Sequence, residues 1–494
     1  MHSKSKRIVY LSLFALLAIL FLQQGANAQT NDLLLEAKQQ WDTYLVGGTC
    51  IPGSHNLFAG DVDGDGIVEI VTGGILYDAN GSFASGYGPL RIWNWNGQTV
   101  TLEVAQNWKG SISCVYAADL NGDGTVEIIT AGSSRNQTGQ PTTSLKIWQF
   151  KDQELTFVTE YERISINSLV VADLNNDGAL ELVSVGGYSS DSKVSGQLCI
   201  WHFENESLTL TQRFILDEAD VKRANSVFTA DLNKDGVIEI ITAGYAGNLN
   251  NSKGQLCVWH WTGQELILKA AEQWQNLEGY ALTISGSVQG NTMVNSVKSA
   301  DLNGDGLEEI VTGGSSFDGA NVTAQVRIWG WNNETLTLRE NKEWASDYLN
   351  EVKCVSLGNV DGDSRIDVVT SGAVCSKGSF SGNATVSEMA QLRVWGWDGG
   401  VLTLKYDMDW VTDEGVCAWN VATADLNNDG SKEIISVGCS YLSDLCDPDM
   451  RIWSIPIDNT KNGESFPTFY LAIATGAVIL AVVIVAVFRH LKKK

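Results

Sequence analysis

The sequence is poor in the side chains that carry out chemistry. Five of its 494 residues are histidine, and only His55, His202 and His260 lie between the apolar runs near the two ends. His202 and His260 each follow a tryptophan in matching stretches (IWHF, VWHW), which marks them as structural. No glycine-rich phosphate loop, GxSxG elbow or HExxH helix occurs. Basic residues are also scarce: 33 against 58 acidic ones give a formal charge of −25, which excludes a nucleic-acid binder because that needs a basic footprint. Nine cysteines are an odd number and cannot all pair within the chain.

What the chain has in quantity is one acidic turn, written seven times. It reads DVDGDGIVEI from Asp61, DLNGDGTVEI from Asp119, DLNNDGALEL from Asp173, DLNKDGVIEI from Asp231, DLNGDGLEEI from Asp301, NVDGDSRIDV from Asn359 and DLNNDGSKEI from Asp425. The starts lie 54 to 70 residues apart, so the chain is a repeat protein. Carboxylate or amide oxygens at positions 1, 3 and 5, a glycine at 6, a backbone carbonyl at 7 and an acid at 9 make an oxygen cage suited to Ca²⁺.

The first set is Asp61, Asp63, Asp65, the carbonyl of Ile67 and Glu69, and the second Asp119, Asn121, Asp123, Thr125 and Glu127. The third is Asp173, Asn175, Asp177, Ala179 and Glu181; the fourth Asp231, Asn233, Asp235, Val237 and Glu239; the fifth Asp301, Asn303, Asp305, Leu307 and Glu309. The seventh is Asp425, Asn427, Asp429, Ser431 and Glu433. The sixth, Asn359, Asp361, Asp363, Arg365 and Asp367, departs from the pattern: Asn359 replaces the first aspartate and Ser364 the glycine, which weakens it as a metal site. An EF-hand would need a bidentate glutamate at position 12 between two helices. Position 12 here is always a hydroxyl residue, and the flanks are β-branched runs such as EIVTGG, so the loop joins two strands. Seven Ca²⁺ ions would bring the charge from −25 to −11, so much of the acidity has a local use.

An acidic turn between strands, repeated seven times at roughly sixty-residue spacing, resembles the FG-GAP or VCBS repeats of integrin α-subunit β-propellers. The resemblance covers nearly all of the chain between its apolar ends. One departure is glutamate at the ninth position in six of the seven turns, where integrin loops more usually carry aspartate. The resemblance implies an all-β fold, a seven-bladed β-propeller of four-stranded antiparallel blades.

The repeat itself divides into four strands. The first ends at the turn, with Gly or Ala just before it and Leu or Val four residues before it, as a tightly packed innermost strand requires. The second is EIVTGG and its equivalents, the third an aromatic run such as LRIWNW, and the fourth a stretch such as TLEVAQNW reached by a short Gly/Asn/Asp turn. The last repeat stops after MRIWSIPI without a fourth strand, and LLLEAKQQW (Leu33 to Trp41) supplies the matching pattern at the other end. The N-terminal strand is therefore expected to complete the last blade, which removes an open sheet edge. Sixteen of the seventeen tryptophans fall at repeat positions, which points to packing between blades; Trp419 alone does not. Cys199 and Cys257 occupy one position in successive repeats, in sheets about 10 Å apart, too far for a disulfide, and are expected to be buried thiols. Cys439 and Cys446 share one loop and are placed to close it.

The ends read as targeting signals. Residues 1–28 form a basic stretch, an apolar run and a small-residue cleavage site, hence a signal peptide cut after Ala28, with an uncleaved anchor as the alternative. Residues 29–457 are the propeller and 458–468 a polar stalk. Phe469 to Phe488 is uncharged and about 30 Å long as a helix, enough to cross a bilayer. The basic tail 489–494 belongs on the cytoplasmic side, which puts the repeats outside the cell. N-x-S/T sequons begin at Asn80, Asn136, Asn205, Asn250, Asn321, Asn333 and Asn383.

Function then has to be sought in the loops. With antiparallel strands, the acidic turns and the three-to-four turns share one face, and the longer, variable loops share the other. Integrin-like propellers bind ligand on that second face, which the resemblance adds. Six residues before each turn the repeat stops imposing an apolar residue, and His55, Ser113, Asn167, Asn225, Asn295, Lys353 and Trp419 stand there. These would ring the mouth of the central channel and suit a polar ligand stacked on an aromatic, or else merely mark where strands meet water. Two readings remain: a membrane-anchored, Ca²⁺-binding adhesion or recognition module for an extracellular protein or glycan, and a polysaccharide-lyase-like enzyme on the same wheel. A lyase would show a cluster of Lys, Arg, His or Tyr on one loop face, and the sequence offers only a sparse one.

Overall fold

The computed structural model describes residues 33–455 except 41–55, 75–86, 136–140, 152, 191–192, 217–220, 249–250, 276–291, 318–321, 346–348, 376–387, 412–415 and 443–444. The expected signal peptide, stalk, membrane helix and tail lie outside these residues. Among the described residues no helix is long and apolar enough to cross a membrane.

Every described element is a strand, and the strands form seven four-stranded antiparallel blades. The first blade runs Leu57–Gly60, Glu69–Gly73, Tyr87–Trp95 and Val100–Lys109, each strand pairing with the next. The following blades occupy residues 114–162, 168–215, 221–274, 292–344 and 349–410. A single parallel pair, Val322 with Leu349, joins the fifth and sixth.

The seventh blade closes the ring as expected. It consists of Val416–Ala424, Glu433–Leu442 and Leu445–Ser454, and its outer strand is the N-terminal Leu34–Gln40. The pairing runs from Leu34 opposite Ser454 to Gln40 opposite Asp449 and slips by one residue between Leu35 and Ala37, beside Trp453 and Ile452. In the other six blades the third and fourth strands carry a register shift at the same place, as at Ile92/Trp93 and Val394/Trp395. The N-terminal strand thus adopts the bulged register of an ordinary fourth strand.

The core lies between blades. One cluster joins Ile70, Trp93 and Trp95 of the first blade to Leu426, Ile435, Met450 and Ile452 of the seventh. The first tryptophan of each third strand is tied within its own blade. Trp93 donates its Nε1–H to Thr72 (3.0 Å), Trp148 to Thr130 (2.9 Å), Trp201 to Ser184 (2.9 Å) and Trp259 to Thr242 (2.9 Å). Trp329, Trp395 and Trp453 do the same with Thr312, Thr370 and Ser436. These acceptors are the position-12 residues of the acidic turns. The invariant hydroxyl therefore satisfies a buried indole, a role the sequence pattern displayed without explaining.

Fourth-strand aromatics then pack on the next blade: Trp274 on Trp329, Trp344 on Trp395 and Trp410 on Trp453, each at 5.0 Å between centroids. The tryptophans are packing residues, as expected. Cys114, Cys199, Cys257 and Cys354 are free and buried, Cys417 is buried, and burial pushes the Cys199 thiol up to about 11 and Cys257 up to about 12. Cys439 is disulfide-bonded; the side chain of its expected partner Cys446 lies outside the described residues.

Candidate metal centres at the acidic turns

All seven turns share one backbone. Positions 4 and 6 are left-handed throughout, with φ of 82° at Gly64 and 87° at Gly66 in the first. Where glycine is missing the conformation persists, as at Asn176 (57°), Lys234 (58°) and Asn428 (55°) at position 4 and at Ser364 (71°) at position 6. Asn tolerates this region better than most residues, and Ser364 carries a steric cost there.

Each turn is pinned at both ends. Position 2 is a buried aliphatic residue, from Val62 in the first turn to Leu426 in the last. Its N–H donates to the position-9 carboxylate: Val62 to Glu69 Oε2 at 2.9 Å, Leu120 to Glu127 at 2.9 Å, Leu174 to Glu181 at 2.9 Å and Leu232 to Glu239 at 3.1 Å. Leu302 with Glu309, Val360 with Asp367 and Leu426 with Glu433 repeat the bond. Within the loop, Gly66 N–H donates to Asp61 Oδ2 (2.9 Å) and Ile67 N–H to Asp65 Oδ1 (2.7 Å), a pattern that recurs from copy to copy. The backbone thus fixes the carboxylates of positions 1, 5 and 9 about the turn, and in five turns the position-3 amide (Asn121, Asn175, Asn233, Asn303 and Asn427) donates its Nδ2 to the position-5 or position-9 acid. One oxygen from each of Asp61, Asp63 and Asp65 lies within 4.8 Å of the others.

Such crowding has an electrostatic cost. Burial first, and then the charges of Asp63 and Asp65, push Glu69 up to about 7, against the Val62 N–H, which pulls it down. Glu239, Glu309 and Glu433 reach about 7 for the same reasons, and Glu127 and Glu181 move in the same direction. Carboxylate, amide and carbonyl oxygens with no sulfur or nitrogen donor form the set that a hard cation takes.

The sixth turn supplies a test of that fit, because a cation stands in it. Lys405, from the fourth strand of the same blade, places its Nζ 2.8 Å from Asp361 Oδ2, 2.8 Å from Asp363 Oδ2 and 2.7 Å from Asp367 Oδ1. These are positions 3, 5 and 9. Burial pulls the ammonium down, but its three carboxylate partners more than reverse this and hold it above the ordinary lysine range. Asp363 is held below the usual carboxylate range in spite of its partial burial. Asp367 moves up because it is fully buried; with three carboxylates around one ammonium, Lys405 stays charged. Among the described residues no Lys or Arg pairs with the acids of the other six turns.

The reach of Lys405 depends on Gly396 opposite it, where an added Cβ would lie 2.4 Å from Lys405 Cε. The equivalent third-strand positions of the other six blades hold Asn94, Gln149, His202, His260, Gly330 and Ser454. Gln149 shows that this position faces the turn, since its Nε2 donates to Glu127 Oε1 at 3.0 Å. The place of Lys405 is taken in the first blade by Glu103, which burial and then Asp63 and Asp65 push up.

Three members of the ring expected at the channel mouth hold blades together. Asn167, Asn225 and Asn295 each donate their side-chain amide to a carbonyl of the next blade, Ala224, Val294 and Val352, at 2.8 Å. Ser113 donates to Ala131 O (3.2 Å) in its own blade. Lys353 is buried against Glu351 and lies 4.9 Å from the centroid of the buried Trp419 ring. His55 lies outside the described residues. Asn167, Asn225 and Asn295 are thus blade-to-blade ties, a role visible only once the neighbouring carbonyls are placed. Below them a cavity of about 340 Å³ follows the axis, with Lys298 Nζ 4.7 Å from the Phe228 ring centroid.

The FG-GAP-like repeat family model matches residues 173–242, from the first residue of the third turn to the position-12 hydroxyl of the fourth. No curated protein matches the chain. The chain carries an FG-GAP-like repeat within a seven-bladed propeller, consistent with an integrin α-like propeller.

Proposed function

We propose that this chain is a Ca²⁺-binding recognition module, held at the outer face of a membrane by its C-terminal apolar segment. It engages an extracellular protein or glycan. The supporting observation is the closed wheel with every acidic turn on one face. The turns and their ions stiffen that face. The strands leave the opposite face free to present connections of different length and sequence, the arrangement in which binding residues are usually set on a rigid scaffold.

When bound, Ca²⁺ supplies charge neutralisation and a fixed point for the turn. The chain's own residues do the rest: position 1 and the position-9 acid bind opposite ends of the loop to its backbone, and the buried position-2 residue anchors it. The test is a binding screen of residues 29–457 against cell-surface glycans and proteins, with and without Ca²⁺. A partner held only with Ca²⁺ is expected. Turnover of a polysaccharide with no stable partner would replace this reading with the lyase one.

A further inference from the structure

We propose that Lys405 is a built-in substitute for the metal of the sixth blade, so that this one turn is closed without Ca²⁺. The inference rests on the Ca²⁺ reading of the other six turns. An ammonium has three N–H donors, and here all three find carboxylate acceptors at 2.7–2.8 Å. Those acceptors are the oxygens that positions 3, 5 and 9 would offer an ion. Two cations cannot occupy one centre, so a metal would first have to expel a partly buried, fully satisfied lysine.

Three departures in this blade fit one another. Gly396 clears the path that the Lys405 side chain follows. Asn359 replaces the first aspartate; its Oδ1 still accepts the Gly362 N–H at 2.9 Å, but its amide nitrogen is no ligand for a hard cation. Ser364 keeps the left-handed backbone although no glycine is present. In the fifth blade Gly330 makes the same room and the charge of Arg339 acts on Asp305 and Glu309, yet among the described residues the guanidinium stops short of an ion pair with them. The sixth turn is thus a site whose cation is part of the chain, next to the blade that closes the ring. It would stay shut at Ca²⁺ concentrations that empty its neighbours.

The full-length chain in detergent, stripped with chelator and dialysed against Ca²⁺, is expected to take up six ions. Lys405→Met should take up seven. In chelator it should unfold at lower urea than the parent, and added Ca²⁺ should restore more of the loss than it does for the parent. Where Lys405→Met fails to fold, the transplant Asn94→Gly with Glu103→Lys answers the same question in the first blade, where five ions are expected. Seven ions in the parent would overturn the proposal. So would six in Lys405→Met with unchanged stability in chelator, or six in the transplant. A parent that takes up no Ca²⁺ would instead overturn the Ca²⁺ reading; Lys405 would then be judged by whether Lys405→Met lowers stability and Lys405→Arg restores part of it.

Discussion

Replacing Thr130 with valine keeps the shape of a buried side chain and removes one hydrogen-bond acceptor. Thr130 is fully buried, and Trp148 donates its indole N–H to it at 2.9 Å. Trp148 is itself 6% exposed and packs against Trp108 of the preceding blade, so water has little access to the orphaned N–H. An unsatisfied buried donor costs about 1–3 kcal/mol. The valine methyl recovers part of that through apolar burial, about 0.8 kcal/mol per carbon, which leaves a net loss of about 0.2–2 kcal/mol. Urea unfolding followed by tryptophan fluorescence measures it. The companion change Thr130→Ser keeps the acceptor and loses only a methyl, and Trp148→Phe removes the donor. In the Trp148→Phe background, Thr130→Val should cost almost nothing. If Thr130→Val destabilises equally in both backgrounds, the hydrogen bond is not the reason for a hydroxyl at position 12.

Three further outcomes are expected. In chelator the propeller should lose stability as pH rises from about 4.5 to about 7, because Glu69, Glu239, Glu309 and Glu433 bind protons in the folded state that the unfolded chain has released; equal urea midpoints at pH 5 and 7.5 would contradict this, and saturating Ca²⁺ should remove the slope. Deleting residues 31–40 removes the strand paired with Leu445–Ser454 and should produce aggregates on gel filtration, since it bares a sheet edge; a monomer of unchanged stability would refute the closure. Gly372→Ala places a Cβ 1.8 Å from the Glu351 carbonyl oxygen and should cost about 1–3 kcal/mol through overpacking, read by the same unfolding assay.

The fold was legible because its signals are local and repeated. Seven acidic turns, the small residue before each and the aromatic third strand are sequence-adjacent features, and the missing fourth strand pointed to Leu33–Trp41 by pattern alone. What escaped the sequence depends on partners distant in the chain. The position-12 hydroxyl meets a tryptophan 17 to 25 residues away across the sheet. Asn167, Asn225 and Asn295 reach carbonyls 57 to 69 residues on, in the next blade, so a ring that reads as free amides is a set of structural ties. Lys405 lies 38 to 44 residues from the acids it joins, and nothing in the sixth turn itself announces it. The coincidence of Gly396 and Lys405 in one blade, set against Asn94 and Glu103 in another, was the available signal, though Gly330 with Arg339 in the fifth blade shows that such a pair alone does not decide it.

Diffraction from crystals grown with Ca²⁺, recorded where calcium scatters anomalously, tests the central claim most directly. The account predicts six anomalous peaks, one in each of the turns that begin at Asp61, Asp119, Asp173, Asp231, Asp301 and Asp425, and none between Asn359 and Asp367, where Lys405 holds the acids. Turns without peaks, or a peak in the sixth with Lys405 displaced, would contradict it.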